Sequence, residues 1–503
     1  MNIPQIVIVD LGGQYTLLIA RRIRELGVRS VVLAPERTSE WLSSHTPRGI
    51  ILSGGWSSIY DADAPQIPDN ILDVPYPKLG ICLGMHWMAQ KLGGTVEASA
   101  LCKEYGVRQF FCTTQNDPLF AGIPATSPVL MSHGDSVTYL PQGGRVIGET
   151  ASCPLAAFSI PEKNIWGIQF HPESSDSAYG INMLENFLAI CGADKDWDPA
   201  SCVDQIRNDI RSALPKRSNI IHLFSGGVDS TVIAAILQPV LGEHLDCVTI
   251  DAGNFREGEM SEIYAHACAA HCSLTVIDAT HDFLEASAGL TDAEEKRMAF
   301  QRIYQKTLDH AKQIFETTYA IQGTLATDLI ESGKEGGAAL IKTHHNVGVQ
   351  SLNPLAGMFK DEVRELARFL KLPASVCERM PFPGPGLFVR IVGMPVTQAR
   401  LDVLRWADGR VREIIKANDI EKDISQLIVT LDGPTTGVKG DARCYGYAVV
   451  VRAIQSIDFM TGHGYEIPSC IRRVIIDTLT QHREIVRVWF DETPKPPATF
   501  EME

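Results

Sequence analysis

The sequence has no uninterrupted apolar run long enough to cross a membrane, and no basic region precedes its first apolar segment, so neither a span nor a secretory leader is expected. Positive charge is in short supply. Lys and Arg number 45 against 60 Asp and Glu, a formal net charge of −15. The acidic residues are spread along the chain, which disfavours nucleic acid or an anionic membrane as partner; any phosphate ligand must meet local cations. The twelve cysteines show no framework spacing, and with no export signal they are expected to stay reduced in the cytoplasm. His266-Ala267-Cys268 and His271-Cys272 fall on more than one helix face with no second ligand pair nearby, so packing is their expected role. Repeats and low-complexity tracts are also missing. No metal-ligand set is assigned from the sequence.

What is present reads as an ordinary globular chain of 503 residues, long enough for about three domains. Apolar strands at 5–10, 31–33, 49–52, 78–82 and 165–170 alternate with helical periodicity at 14–26, 85–92 and 182–190, which argues for a parallel sheet covered on both faces. A polar linker at 192–199 precedes a second α/β unit with strands at 220–224, 247–251, 275–278 and 319–322. The run Pro381-Phe382-Pro383-Gly384-Pro385-Gly386 breaks regular structure and marks the next boundary. Beyond it a helix at 396–417, with Arg412, Glu413 and Lys416 toward solvent, and strands at 427–431, 445–451 and 485–490 read as a small α+β domain. The expected fold class is therefore α/β: two doubly wound parallel-sheet domains (1–195 and 200–385), then an α+β domain (386–503).

Ser225-Gly226-Gly227-Val228-Asp229-Ser230 lies between an apolar strand and an amphipathic helix. Backbone N–H groups in such a turn, with a helix N-terminus behind them, form an anion cradle. The hexapeptide lacks the spacing and the lysine of G-x-x-x-x-G-K-[ST]. Gly80-Ile81-Cys82-Leu83-Gly84 also sits between strand and helix, the arrangement of a nucleophile elbow with cysteine in place of serine. The turn exposes the sulfur at the positive end of a helix, where the thiolate is favoured. Ser53-Gly54-Gly55 ends another strand of the same sheet, so the amides of Gly54, Gly55 and Leu83 are candidates for an oxyanion hole. In Gly167-Ile168-Gln169-Phe170-His171-Pro172-Glu173, His171 is the candidate base and Glu173 its orienting carboxylate. His133, in Met131-Ser132-His133-Gly134-Asp135, reads as structural.

The cysteine elements resemble the class I glutamine amidotransferases, and the Ser225–Ser230 loop resembles that of the ATP pyrophosphatases. Together with the segments 322–325, 330–333, 341–348, 359–364, 381–387, 440–441 and 495–501, they resemble the glutamine-hydrolysing GMP synthetase family along essentially the whole chain. The resemblance implies a Cys82–His171–Glu173 glutaminase that supplies ammonia. It implies a site at Ser225–Ser230 and Asp251 where ATP adenylates xanthosine monophosphate before ammonia displaces AMP. It further implies Mg2+ with the ATP, nucleotide-substrate contacts from Arg297, Lys342, Lys495 and Glu501, and a homodimer formed through the C-terminal domain.

The chain departs from the family pattern in several places. Trp56 stands where proline is usual, and His86 where glutamine is usual. The stretch Asp251-Ala252-Gly253-Asn254-Phe255-Arg256 replaces Asp-Asn-Gly-Leu-Leu-Arg. The lid after Lys342 is shortened, running from Gly348 through 349–352 directly to Asn353-Pro354-Leu355, and a usual arginine is missing from 431–437. Three readings follow at this stage: xanthosine monophosphate as acceptor, a different purine-like or nucleoside acceptor, or a non-catalytic scaffold. The intact Cys82, His171, Glu173 and phosphate loop argue against the last.

Overall fold

The first apolar run forms the strand Ile6–Val9, and its four side chains go alternately to two cores. Ile6 and Ile8 pack with Ile19, Ile23, Leu79 and Ile81, while Val7 and Val9 pack with Leu52, Leu83 and Met88 on the opposite face. Such an all-apolar strand is buried on both faces, as expected inside a covered parallel sheet. In the computed structural model the described residues are 4–98, 103–215, 218–326, 341–343, 350–456, 462–495 and 497–503. Segment 330–333 and residues 344–348 of the lid lie outside them, as do the side chains of 341–343.

The chain folds as two units. One holds the residues up to Gln205, with short middle pieces that include Ala326 and Phe359; the other holds most of the remainder. In the first unit a nine-stranded sheet runs Ser30–Leu33, Ile6–Val9, Gly49–Leu52, Lys78–Ile81, Ile165–Ile168, Ala157–Ile160, Arg145–Thr150, Glu104–Cys112, Thr126–His133. The first five strands pair in parallel and the rest antiparallel. That antiparallel half escapes the sequence reading, in part because its longest strand, Glu104–Cys112, buries few of the side chains that mark a strand.

The second unit contains a sheet ordered Leu274–Asp278, Leu245–Asp251, Ile220–Leu223, Tyr319–Ile321, Gln350–Leu352, Ile341–Thr343, parallel except for the last pairing. It also contains a long antiparallel hairpin, Gln426–Lys439 with Ala442–Gln455, and Ile485–Phe490 pairs in parallel with the second arm. One core joins the two sheets. Ile250, Phe283 and Phe300 from the middle segment cluster with Leu387, Phe388, Ile391, Leu404, Val429 and Ile475. The Pro-Gly run thus leads into a shared core, and Phe388 places its ring 5.8 Å from Phe300 and 6.5 Å from Phe283.

The helix Gln398–Ala417 corrects one detail. Arg412 does not face solvent: its Nε donates to the buried Asp408 at 2.7 Å, and its Nη2 donates to the Leu427 carbonyl at 3.0 Å. An (i, i+4) acidic partner on the buried face draws it inward. Phe388→Ala should cost about 3–5 kcal/mol in urea unfolding followed by far-UV circular dichroism. A loss below about 1 kcal/mol would contradict a core shared across the Pro-Gly run.

Candidate active sites

Cys82 closes the strand Lys78–Ile81 and precedes the helix Leu83–Lys91, with φ 50 and ψ −106. This left-handed backbone is costly for a residue with a Cβ, and surrounding contacts hold it in place. The Cys82 amide donates to the Ile168 carbonyl at 2.8 Å and the Gly84 amide to that of Ser53 at 3.1 Å. Glycine is required on both sides by space. A Cβ on Gly80 would lie 2.7 Å from the Gly84 carbonyl carbon and oxygen, and one on Gly84 would lie 2.4 Å from the Leu52 carbonyl oxygen.

The structure brings the sequence-predicted triad together. His171 Nδ1 and Glu173 Oε1 are 2.8 Å apart, and Glu173 is fully buried. A Cβ on Gly54 would sit 2.9 Å from His171 Cε1 and 3.7 Å from Cys82 Cβ, so Gly54 lies between the two. Gly55 is wedged against Leu83, where a Cβ would come within 2.3 Å of Leu83 Cδ2. Burial works against a charged His171, but the Glu173 carboxylate and the bond to Cys82 outweigh it and push its pKa up to about 10. The site therefore favours an imidazolium beside the sulfur.

His86 reaches the sulfur only through another side chain. It is buried, and its Nε2 lies 2.8 Å from Gln169 Oε1, while Gln169 Nε2 lies 3.7 Å from Cys82 Sγ. Burial lowers the His86 pKa to about 4, so the ring is neutral. Sequence reasoning misses Gln169 as a neighbour of the sulfur, although it lies two residues before His171 in the motif that supplies the base. His133 lies 2.9 Å through Nδ1 from the Asp135 carbonyl and 3.6 Å through Nε2 from the buried Glu104, on the paired strands Thr126–His133 and Glu104–Cys112. Trp56 is 65% exposed.

In the second unit, Gly227 is the N-cap of the helix Val228–Leu241, and Gly226 has φ +69. The loop is laced by hydroxyls: Ser225 and Ser230 Oγ atoms are 3.2 Å apart, and the Gly227 amide lies 3.3 Å from Ser225 Oγ. Asp229, in the first turn, pairs through Oδ2 with Lys360 Nζ at 2.6 Å, and its Oδ1 is buried with no hydrogen-bond partner among the described residues. Lys360 is a site residue that sequence reasoning misses, although it lies in the 359–364 segment. A cavity of about 350 Å³ opens beside the loop, lined by Phe224, Ser225, Ile250, Phe300 and Pro385 among others. Its mostly apolar lining, with Ser225, Asn254 and Arg297 among its polar members, suits a heterocyclic ring next to a phosphate chain.

Arg297 lines the same cavity, so the structure brings it to Ser225. Asp251 ends the neighbouring strand but does not line it; its carboxylate accepts from the Gly253 amide at 2.8 Å. Asn254, in the altered stretch, donates through its side-chain amide to the Gly384 carbonyl at 3.0 Å. Lys342 lies on the strand Ile341–Thr343, and its side chain is outside the described residues. Lys495 sits 4.5 Å over the Phe500 ring. Glu501 accepts from the buried Arg390 at 2.9 and 3.0 Å and from Gln426 at 3.1 Å. Neither Lys495 nor Glu501 lines the cavity beside the loop.

Known proteins resemble the chain in the same order as its parts. It matches the glutamine amidotransferase class-I family over residues 7–191, the NAD synthase family over 200–429, and the GMP synthase C terminal domain family over 413–502. A glutamine-hydrolysing GMP synthase of Syntrophomonas wolfei is 39% identical over 100% of both chains. Those of Lactococcus lactis subsp. cremoris and Streptomyces coelicolor are 40% identical over 99% of this chain and 99% and 98% of their own. The chain belongs to the glutamine-hydrolysing GMP synthase family. A glutamine amidotransferase of known structure from Thermotoga maritima is 20% identical, with TM-score 0.30 over 38% of this chain and 83% of its own.

Among the described residues no helix is long and apolar enough to cross a membrane. The triad's electrostatics give a prediction for glutamine hydrolysis. With His171 at about 10, the proton owed to the leaving nitrogen should be held through neutral pH, and activity should fall on the alkaline side as the imidazolium loses it. Glu173→Gln removes the charge that holds the proton, so the alkaline fall should move down toward the ordinary histidine value of about 6.5. A pH profile of kcat/KM for glutamine measures this, and an unmoved limb would contradict the assignment.

Proposed function

We propose that this chain converts xanthosine monophosphate to GMP, taking nitrogen from glutamine and releasing AMP and pyrophosphate from ATP. The observation that supports the reading is a His171–Glu173 pair beside Cys82, and a glycine turn at a helix N-terminus, in one chain related end to end to GMP synthases. In this reading residues 1–195 form the glutaminase, 200–385 the adenylating domain and 386–503 a substrate-binding and homodimer-forming domain.

Cys82 Sγ attacks the carboxamide carbon of glutamine. The oxyanion that forms meets the amides of Gly54, Gly55 and Leu83, where fixed dipoles stabilise developing charge. His171 gives its proton to the leaving nitrogen, ammonia departs, and a glutamyl thioester remains. Water then attacks that thioester as the now neutral His171 takes its proton, the carbon–sulfur bond breaks to return the Cys82 thiolate, and glutamate leaves.

At the second site the 2-oxygen of xanthosine monophosphate attacks the α-phosphorus of ATP. The departing pyrophosphate is held by Ser225–Ser230 and faces Lys360. Asp251 serves the adenosine side, and Arg297, Lys342, Lys495 and Glu501 serve the nucleotide substrate. Ammonia then displaces AMP from the activated carbon. The cationic ends of Lys360 and Arg297 answer the need for local positive charge on an acidic chain. Mg2+ fits here: Asp229 Oδ1 is a buried oxygen donor with no hydrogen-bond partner among the described residues, suited to a hard cation that would neutralise charge on the pyrophosphate when bound.

Two substitutions separate the half-reactions. Cys82→Ala should lower glutamine-driven GMP formation at least about a thousandfold and leave ammonia-driven formation intact. A parallel loss of both would refute the division of labour. Asp229→Ala should remove pyrophosphate release with either nitrogen source, and release at the wild-type rate would reject the loop assignment.

A further inference from the structure

The carbonyl oxygen of Gly226, in the middle of the phosphate loop, is bonded from behind by two side chains. Arg379 Nη1 donates to it at 2.7 Å, and His266 Nδ1 lies 2.7 Å from the same oxygen. For His266 to bond that carbonyl, Nδ1 must carry the proton. Its Nε2 then accepts from Ser375 Oγ, 3.2 Å away. Arg379 Nη2 pairs with the buried Glu259, which fixes the guanidinium plane. Burial, helped by the charge of Arg379, holds the His266 pKa below its usual range, consistent with a neutral ring.

The backbone leaves little freedom at this point. Gly226 has φ +69, and a Cβ there would lie 2.8 Å from Ile263 Cγ1 and 3.3 Å from Arg379 Nη1. A peptide plane has two ends, so drawing the Gly226 carbonyl backward aims the Gly227 N–H forward. That N–H donates to Ser225 Oγ at 3.3 Å, a long bond that a phosphate oxygen would replace, and Ser225 lines the apolar cavity beside the loop. Arg379, His266, Glu259 and Ser375 do not line that cavity. They line a separate, charged one of about 800 Å³. Two donors on one carbonyl also polarise the peptide and strengthen its N–H as a donor.

We propose that Arg379 and His266 are positioning residues for adenylation, clamping the Gly226–Gly227 peptide so that its N–H is presented to the pyrophosphate. The proposal rests on reading Ser225–Ser230 as the pyrophosphate loop. It assigns a role to a histidine whose sequence context reads as packing, and to an arginine that no sequence pattern singles out.

The test uses the full-length protein with ammonia as nitrogen source, measuring the KM for Mg-ATP and the inhibition constant for pyrophosphate. Arg379→Ala should raise both by about ten- to a hundredfold, the loss expected when a charge-assisted bond is removed. Added guanidinium at sub-denaturing concentration should restore part of the loss, which a general packing defect would not allow. His266→Asn places an amide nitrogen near the position of Nδ1 and should stay close to wild type. His266→Gln places it near Nε2 and should weaken both constants several-fold. Equal behaviour of the two His266 variants, or constants within about twofold of wild type for Arg379→Ala, would overturn the proposal. If Arg379→Ala does not fold, the His266 pair decides alone. Should Asp229→Ala abolish pyrophosphate release while these variants stay inert, the clamp fails and the loop reading survives. An inert Asp229→Ala would remove the loop reading itself.

Discussion

The Gly84 amide donates to the Ser53 carbonyl at 3.1 Å, while the Gly84 Cα passes so close to Leu52 that a Cβ would meet its carbonyl oxygen at 2.4 Å. This approach of one strand-to-helix turn to the end of the next strand places the reactive groups of the first unit. It puts Ser53-Gly54-Gly55 beside Cys82 and keeps Cys82 at φ 50, and it leaves His171 room to reach over Gly54. Larger residues at these positions would push the strand ends apart and lose the register that sets Ser53-Gly54-Gly55 beside Cys82. A similar economy appears in the second unit. There Gly226 takes a left-handed turn so that a helix N-terminus and a row of amides meet in one place.

Charge then decides what each turn can do. In the first unit a fully buried carboxylate holds a proton on His171 against the cost of burial. In the second, Lys360 pairs with only one oxygen of Asp229, and the other is buried with no hydrogen-bond partner among the described residues. The core behind that site is held by charges as well. Asp408 is buried, which opposes ionisation, yet Arg412, Arg256 and Arg390 keep its carboxyl below the ordinary range. Arg390 also grips Glu501 with two nitrogens, so the last residues are tied into the shared core. Removing either member of such a buried pair leaves an uncompensated charge, and that cost is what keeps the C-terminal tail in register.

Much of this is legible in the chain. The elbow and the phosphate loop show themselves because local backbone geometry demands glycine at fixed offsets, and the parallel strands show themselves because burial on both faces makes them wholly apolar. The triad partners are legible from their motif. Glu104–Cys112 is not, because it buries too few side chains to show a strand pattern. Arg412 reads as solvent-facing because the buried Asp408 that attracts it has no hydrophobic signature. Lys360, Gln169 and Arg379 act through contacts distant in sequence, 131, 87 and 153 residues from their partners. Such contacts leave no periodic trace. The departures at His86 and Asn254 also need coordinates, which show His86 bonded to Gln169 and Asn254 donating to the Gly384 carbonyl while it lines the cavity beside the loop.

The central claim is that nitrogen freed at the cysteine is consumed by an adenylated nucleotide made in the same chain. Counting products in one reaction tests it most directly. With glutamine, ATP, magnesium and xanthosine monophosphate supplied together, glutamate, AMP and GMP should accumulate in matched amounts. Sustained AMP and glutamate formation without GMP, or no AMP at all under these conditions, would contradict it.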